Sequence, residues 1–486
     1  MRNFILLLTA FFLFSVISCK KSQHLNYATI QGEVLTEDIK EVTFQWIVDN
    51  PISGKGETYT AQVDSNSKFS IQIPIERIAT GRISCNGYYH NIYLLQGDDI
   101  FASINGDTIK YTGKGAEKNN LEFESEKIDL WKGAYYSDNI YIGEPSLEEF
   151  YTSISDVHKR RIDFLKNYPD YNKLEPEFIQ YYLIENDVLY QDALMYYSLI
   201  YAYNHNIKPD SLILPAEYKK LTYFSNIIDH KKTIVPDYVS NLRNQVFSKG
   251  REIMFTDTTL EWLDALHIAL FDSLNGKTRE YVLTKFICTD FENDMYDSVA
   301  IDKFNQIEKE ELSIATFEKA REKFFQKRAL KGKPLHKEFS ETVLLDTSNQ
   351  EITFGELMAS FKGKVVYLDM WSMGCGPCRA AMPFSKQLKE KLEGQPIEFV
   401  YISLDKIEKE GWEEVFQVTF TNKNHYVFEN GFDSRLTKFM EINWVPNYMI
   451  FDKEGNLIEF NASFPQPLLE DKITEPEKTL TELALK

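Results

Sequence analysis

The chain is poor in cysteine, with five in 486 residues. That is too few for a scaffold built on disulfides, so stability must come from apolar cores. Hydrophobic residues make up 43% of the sequence, which is enough to form them. Positive charge is also short. Lys and Arg number 54 against 73 Asp and Glu, a net charge of −19. A polyanion of that size is repelled by phosphate backbones, which argues against nucleic acid as a partner. Residues 20–330 hold no Gly-rich phosphate loop, no hydrolase triad signature and no metal cluster. Beyond the N-terminus no apolar run approaches a membrane span.

What is present begins at that N-terminus. "MRNFILLLTAFFLFSVISCKK" places one basic residue before an apolar run from Phe4 to Val16. The run is short for a spanning helix and has the length of a signal-peptide core. Val16-Ile17-Ser18-Cys19 resembles a bacterial lipobox, in which cleavage precedes the cysteine and its thiol is acylated. The reading is a signal peptide over 1–18, a lipidated Cys19 and a tether over 19–26. An ordinary signal peptide with an incidental cysteine is the alternative. The mature protein is then expected on the bacterial cell envelope, lipid-anchored in an oxidising compartment. Lys20 and Lys21 follow the anchor without an acidic cluster, which leans toward the periplasm-facing side.

At about 150 residues per domain the length allows roughly three domains. Residues 27–117 read as an all-β sandwich or barrel. "EVTFQWIV" alternates Val42, Phe44, Trp46 and Val48, and "KFSIQIPI" alternates Phe69, Ile71, Ile73 and Ile75. Turn signals at Asp64–Lys68 and Asn105–Asp107 separate strands. Residues 118–331 turn helical. Pro176 opens one long segment, "TDTTLEWLDALHIALFDSLNG" begins with capping residues, and "ATFEKAREKFFQKRALKG" stops at Gly332. The Tyr-rich stripes and His267 read as core rather than as a binding groove or a catalytic base. Residues 332–486 alternate strand and helix, as an α/β domain does: "KVVYLDMW", "PCRAAMPFSKQLKEKL", "IEFVYISLD", "KEGWEEVFQV", a hairpin at "YMIFDKEGNLIEF" and a last helix near "EPEKTLTELAL".

Two cysteines, Cys375 and Cys378, sit where an apolar strand gives way to a helix. A metal site needs about four ligands, and no second Cys/His pair accompanies these two. A disulfide closing so short a loop removes little chain entropy, so a staple would stabilise weakly. Thiol–disulfide exchange suits the placement best. Cys375 at a helix N-terminus is expected to ionise more easily than the usual thiol at about 8.5. It would attack, and Cys378, one turn in and less exposed, would resolve the mixed disulfide. Pro377 fits the first helical turn without losing a hydrogen bond.

"GKVVYLDMWSMGCGPCRAAMP", "YISLD" and "INWVPNYMIFDKEGNLI" resemble the thioredoxin superfamily, and within it the membrane-tethered thiol–disulfide oxidoreductases of the TlpA/ResA type. The resemblance covers about 332–486. The segment ending "YLLQGDDIFASINGDTIKYTGKGAEKNN" is similar, less closely, to an uncharacterised domain that precedes this module in bacterial lipoproteins. The family implies a thioredoxin fold, a redox-active disulfide in place of any cofactor, and no metal. It implies a cis proline at Pro446 facing the cysteines, with Val445 offering its backbone to a client chain. Trp371, Gly376 and Pro377 match its client-contacting motif, and Gly374 occupies another of that motif's positions. The chain departs from the pattern in three places. Ala381 stands where Glu is usual, Gly374 where Trp is common, and Asp369 six residues before the first cysteine. Asp369 matches the buried Asp of ordinary thioredoxins and becomes the candidate proton acceptor from Cys378; a merely hydrogen-bonded core Asp is the other reading.

The expected activity is reduction of disulfides in client proteins, fed by a transmembrane electron donor; apocytochrome c is one conceivable client. A peroxiredoxin-like thiol peroxidase is an alternative: Ser372 fits its hydroxyl position, but Leu368 occupies the place of its proline. A ligand- or partner-binding lipoprotein with an accessory redox module is another. Cys85 and Cys288 fall in different expected domains and read as buried free thiols.

Overall fold

The computed structural model describes residues 27–36, 39–127, 136–137, 140–141, 145–208, 211–215, 228–346, 348–405, 424–465 and 473–486. The signal peptide, Cys19, the tether and the helix expected at "KEGWEEVFQV" lie outside the described residues. The chain divides into two compact units, Met1–Lys285 and Phe286–Lys486. The division falls inside the helical region of 118–331, so its last helices belong to the C-terminal unit.

The first unit opens with eight strands, β1 (Tyr27–Val34), β2 (Glu41–Val48), β3 (Glu57–Gln62), β4 (Lys68–Pro74), β5 (Ala79–Cys85), β6 (Tyr88–Leu94), β7 (Asp99–Asn105) and β8 (Thr108–Lys114). They form two four-stranded sheets, β4-β1-β7-β8 and β3-β2-β5-β6. Inward residues of both sheets, among them Ile30, Ile73, Ile100, Val42, Phe44 and Ile83, share one core. The expected turns are there: Asp64 accepts from the N–H groups of Asn66 and Lys68, and Gly106 takes a positive φ between β7 and β8.

One expected position is corrected. Trp46 does not point inward with Val42 and Phe44. The register of β2 shifts against both its neighbours at this point, Trp46 adopts φ 52°, and its indole is 61% exposed while Ile47 takes the core place. A bulge inserts one residue, which reverses the alternation beyond it. The cause is non-local: Gly56 and Gly81 lie against the Trp46 backbone, and a Cβ at Gly56 would sit 2.4 Å from its Cα.

Helix α1 (Glu117–Lys127) ties the two sheets together through three consecutive side chains. The Asn119 carboxamide takes both the N–H and the C=O of Tyr93 on outer strand β6, at 2.8 and 3.0 Å. Asn120 does the same for Tyr111 on outer strand β8, at 3.0 and 2.9 Å. Lys118, fully buried, meets Asp98 at 2.9 Å. A short ladder of β9 (Tyr136–Ser137) and β10 (Ile140–Tyr141) follows. Helices α2 (Leu147–Lys166), α3 (Pro176–Asn204), α4 (Pro236–Thr256), α5 (Trp262–Ser273) and α6 (Gly276–Glu292) come next. α2 starts with a Ser146/Glu149 capping box, and α3 with Pro176. α5 starts later than its capping residues imply, because Asp257 closes the preceding turn on Thr259 instead. Tyr181, Tyr182, Tyr197 and His267 are buried, as core residues should be.

The second unit contains α7 (Ser298–Gln306), α8 (Glu311–Arg328), α9 (Lys337–Ser340), β11 (Val343–Leu345), β12 (Glu351–Thr353), α10 (Phe354–Ser360), β13 (Val365–Trp371), α11 (Gly376–Lys391), β14 (Ile397–Ser403), β15 (His425–Phe428), α12 (Arg435–Met440), β16 (Asn447–Phe451), β17 (Leu457–Glu459) and α13 (Glu475–Leu485). Its sheet runs β12-β11-β15-β14-β13-β16-β17. β13 pairs in parallel with β14 and antiparallel with β16. All seven of its residues are buried, as a central strand covered on both faces requires. Val366, Leu368 and Met370 face a core with α10 and α12. Val365, Tyr367 and Trp371 face another with α11 and α13. The β13–α11 junction thus sits at the centre of the sheet, at the carboxyl end of its strand.

Candidate active site at the head of α11

Cys375 is the N-cap of α11 and Cys378 lies in its first turn, with Pro377 between them. The two sulfurs are bonded, with Cα atoms 5.3 Å apart. Cys375 Sγ accepts the Cys378 N–H at 3.0 Å, one of the helix's free N-terminal donors. Cys375 is partly exposed, whereas Cys378 is 2% exposed. Only the first can meet another protein, which matches the attacking and resolving roles expected of them. The strand–helix handover is dictated locally. β-branched and aromatic residues fill "VVYLDMW", and Gly-Pro then supplies a turn and a helix start.

Pro446 follows a cis peptide bond, and the Val445 carbonyl oxygen lies 3.5 Å from Cys375 Sγ. Pro446 therefore stands beside the pair. The backbone at Cys375 is held from the other side as well. Asp405, just past β14, accepts the Met373 N–H at 2.8 Å and the Ser403 hydroxyl at 2.6 Å. The motif "YISLD" alone assigns its Asp no role; the signal for it is a carboxylate closing the carboxyl end of the neighbouring strand. Gly374 and Gly376 are exposed, and a Cβ at either would meet nothing within 4 Å.

Trp371 is corrected: it is 4% exposed and packs with Tyr367 and Cys378 beneath the site, so it cannot touch a client. Its position on β13, two residues from Asp369 and four from Tyr367, gives the reason, since alternate residues share one face. Ala381 is also buried, and it brings no proton acceptor.

Asp369 lies on that same inner face. Tyr401 on β14 and Tyr448 on β16 are its direct neighbours in register. It is 3% exposed and, among the described residues, receives no hydrogen bond. Burial pushes its carboxyl up to about 8. Burial thus favours its neutral form, on the sheet face that packs against α11 and α13. Tyr401 donates to or accepts from Ser385 at 3.1 Å and stacks on His425, which burial lowers to about 4 and so keeps neutral.

Comparison with known proteins agrees with this geometry. Residues 363–457 match a thioredoxin-like family model. A thiol–disulfide oxidoreductase ResA from Bacillus cereus is 27% identical over 125 residues, which is 25% of this chain and 66% of the relative. The chain thus spans a little under two thirds of that relative. Two solved structures are among those similar to part of this chain. The thioredoxin domain of a thiol–disulfide oxidoreductase from Bacteroides vulgatus is 18% identical, covering 29% of this chain and 91% of that one at a TM-score of 0.23. The pneumococcal exposed lipoprotein thioredoxin from Streptococcus pneumoniae is 20% identical, covering 29% and 98% at 0.23. Residues 363–457 of the C-terminal unit are thus similar to the thioredoxin-like family model, and ResA-type thiol–disulfide oxidoreductases are among the proteins this unit resembles.

Proposed function

We propose that the chain is a thiol–disulfide oxidoreductase that reduces disulfides of client proteins outside the cytoplasm, anchored to the bacterial cell envelope through lipid on Cys19 and facing the periplasm. The carrying observation is the bonded pair at the head of α11, with an accessible sulfur beside Val445 and a buried one beneath it. In the reduced protein, the Cys375 thiolate is stabilised by the helix N-terminus and by the Cys378 N–H. It attacks one sulfur of a client disulfide, and the client's other sulfur leaves as a thiolate and is protonated. Cys378 then loses its proton to the ionised form of Asp369, whose population grows as pH rises, and attacks Cys375, releasing the client as a dithiol and leaving the Cys375–Cys378 disulfide. Two electrons from a transmembrane donor restore the dithiol. No further cofactor enters the cycle, and nucleic acid has no place in it.

Turbidity from insulin reduction by dithiothreitol tests the activity. The wild-type chain should accelerate it and Cys375→Ser should not. Equal rates would end the reading. For the anchor, Cys19→Ala should leave the expressed protein in the soluble fraction and unlabelled by radioactive palmitate; labelled Cys19→Ala protein would refute lipidation there.

A further inference from the structure

We propose that Asp405 positions the attacking sulfur: its carboxylate latches the turn that delivers Cys375 to the end of β14, a restraint that Gly374 itself cannot supply. The inference rests on the oxidoreductase reading and adds a residue to that site. Asp405 acts through Met373 rather than on a sulfur, which makes it a positioning residue.

Three observations carry it. First, Ser372, Met373 and Gly374 alone join the end of β13 to Cys375, and they form a tight turn closed by the Cys375 N–H on the Ser372 carbonyl at 3.1 Å. Among the described residues, the bond from the Met373 N–H to Asp405 at 2.8 Å is the one hydrogen bond that ties Met373 or Gly374 to the end of a neighbouring strand. Second, the latch has a firm base. Ser403 is buried in β14, opposite Trp371 in register. Its hydroxyl donates to the same Asp405 oxygen at 2.6 Å and accepts the Asp405 N–H at 3.2 Å. The Leu404 N–H, between the two, donates to the Trp371 carbonyl at 2.8 Å. Third, Gly374 brings no packing of its own. It is exposed, and a Cβ there would meet nothing within 4 Å.

The need for a latch follows from Gly374. Glycine has the widest backbone freedom of any residue, so a turn containing it wanders unless something outside holds it. A carboxylate accepting a backbone N–H makes one of the stronger hydrogen bonds available, and here it does so two residues before the reacting atom. With the turn fixed, Cys375 Sγ stays 3.5 Å from the Val445 carbonyl and 3.0 Å from the Cys378 nitrogen. With it loose, the sulfur still ionises at the head of α11 but meets a client disulfide out of line. Displacing a reacting group by about 1 Å can cost up to about a hundredfold, and because the helix cap retains part of the position the expected loss is about tenfold.

The test uses the full chain with Cys378→Ser, which cannot resolve. Two reagents read two properties of Cys375. The first is acetyl-Ala-Cys-Ala-amide with its sulfur joined to thionitrobenzoate. Cys375 attacks the peptide sulfur, a Cys375–peptide disulfide forms, and the yellow thionitrobenzoate anion leaves with the electron pair. The second is iodoacetamide. The Cys375 thiolate displaces iodide and becomes alkylated, a reaction open from many directions that reports thiolate content. Adding Asp405→Ala should slow peptide capture about tenfold and alkylation less than about twofold. Asp405→Asn, which keeps an acceptor for the Met373 N–H, should retain most of the capture rate. Gly374 has no positive φ, so Ala fits there, and adding Gly374→Ala to Asp405→Ala should stiffen the turn and recover part of the loss. Should Asp405→Ala fail to fold, Ser403→Ala removes the base of the latch and carries the test, with an expected loss of about threefold. Unchanged capture, an equal fall in both reactions, Asp405→Asn as slow as Asp405→Ala, or no recovery with Gly374→Ala overturns the latch and leaves the oxidoreductase reading intact. Failure of Cys378→Ser itself to capture the peptide overturns both.

Discussion

Each unit of the chain buries an aspartate, and the two have opposite surroundings. Asp98 in the sandwich is 4% exposed and Asp369 in the thioredoxin-like unit is 3% exposed. Burial raises the pKa of both. Asp98 is answered by Lys118 at 2.9 Å and by the Leu95 N–H at 2.7 Å. Asp369 has four aromatic neighbours on its sheet face and no donor. The first arrangement locks a charge in place; the second leaves a proton loosely held. A buried carboxyl is therefore structural or reactive according to whether its partner is built in or arrives during the reaction.

The comparison can be broken most sharply at the attacking sulfur. Cys375→Ser should abolish insulin reduction, whereas no substitution at Asp98 or Lys118 should affect turnover of protein that remains folded. Next is the lock itself. Lys118→Met leaves Asp98 buried and unpaired, at a cost of about 3–5 kcal/mol, read as a lower urea midpoint for the N-terminal unit. Little loss would show that the pair is dispensable. Asp369→Asn should slow the resolving step about tenfold to a hundredfold at pH 8 and remove its rise with pH near 8, measured by stopped-flow release of a trapped client. The same variant sharpens the contrast in stability. Asp369 binds a proton in the folded state up to about pH 8, but in the unfolded state only up to about pH 4. Wild-type stability conferred by that proton is present below about pH 4 and lost progressively between about pH 4 and 8. Asp369→Asn should lack this decline in denaturant melts at pH 5 and pH 9. Smallest is Asn120→Ala, which frees the Tyr111 N–H and C=O and should cost about 1 kcal/mol in a thermal melt.

Legibility in the sequence followed the distance over which each feature is determined. The cysteine pair, its strand–helix junction and the β16–β17 hairpin come from neighbouring residues, and they could be read. Period-two patterning gave the sandwich strands. It failed at Trp46, because the bulge is set by Gly56 and Gly81, which reach β2 only after folding. Trp371 was assigned to the surface by its motif, although its parity with Asp369 and Tyr367 already placed it inside. Asp369 could be singled out as a carboxylate in an apolar strand, but its lack of a donor depends on Tyr401 and Tyr448 arriving from other strands. β11 and β15 are three and four residues long, too short for periodicity to detect.

Two side-chain amides on α1 also have a consequence for molecules in bulk. An outermost strand is a ready template for a foreign strand to extend, and runaway extension ends in fibres. Asn119 and Asn120 already fill the outward-facing groups of Tyr93 and Tyr111, so an incoming strand would find the row interrupted on β6 and on β8. One short helix thus guards one edge of each sandwich sheet, β6 and β8, against extension by another molecule.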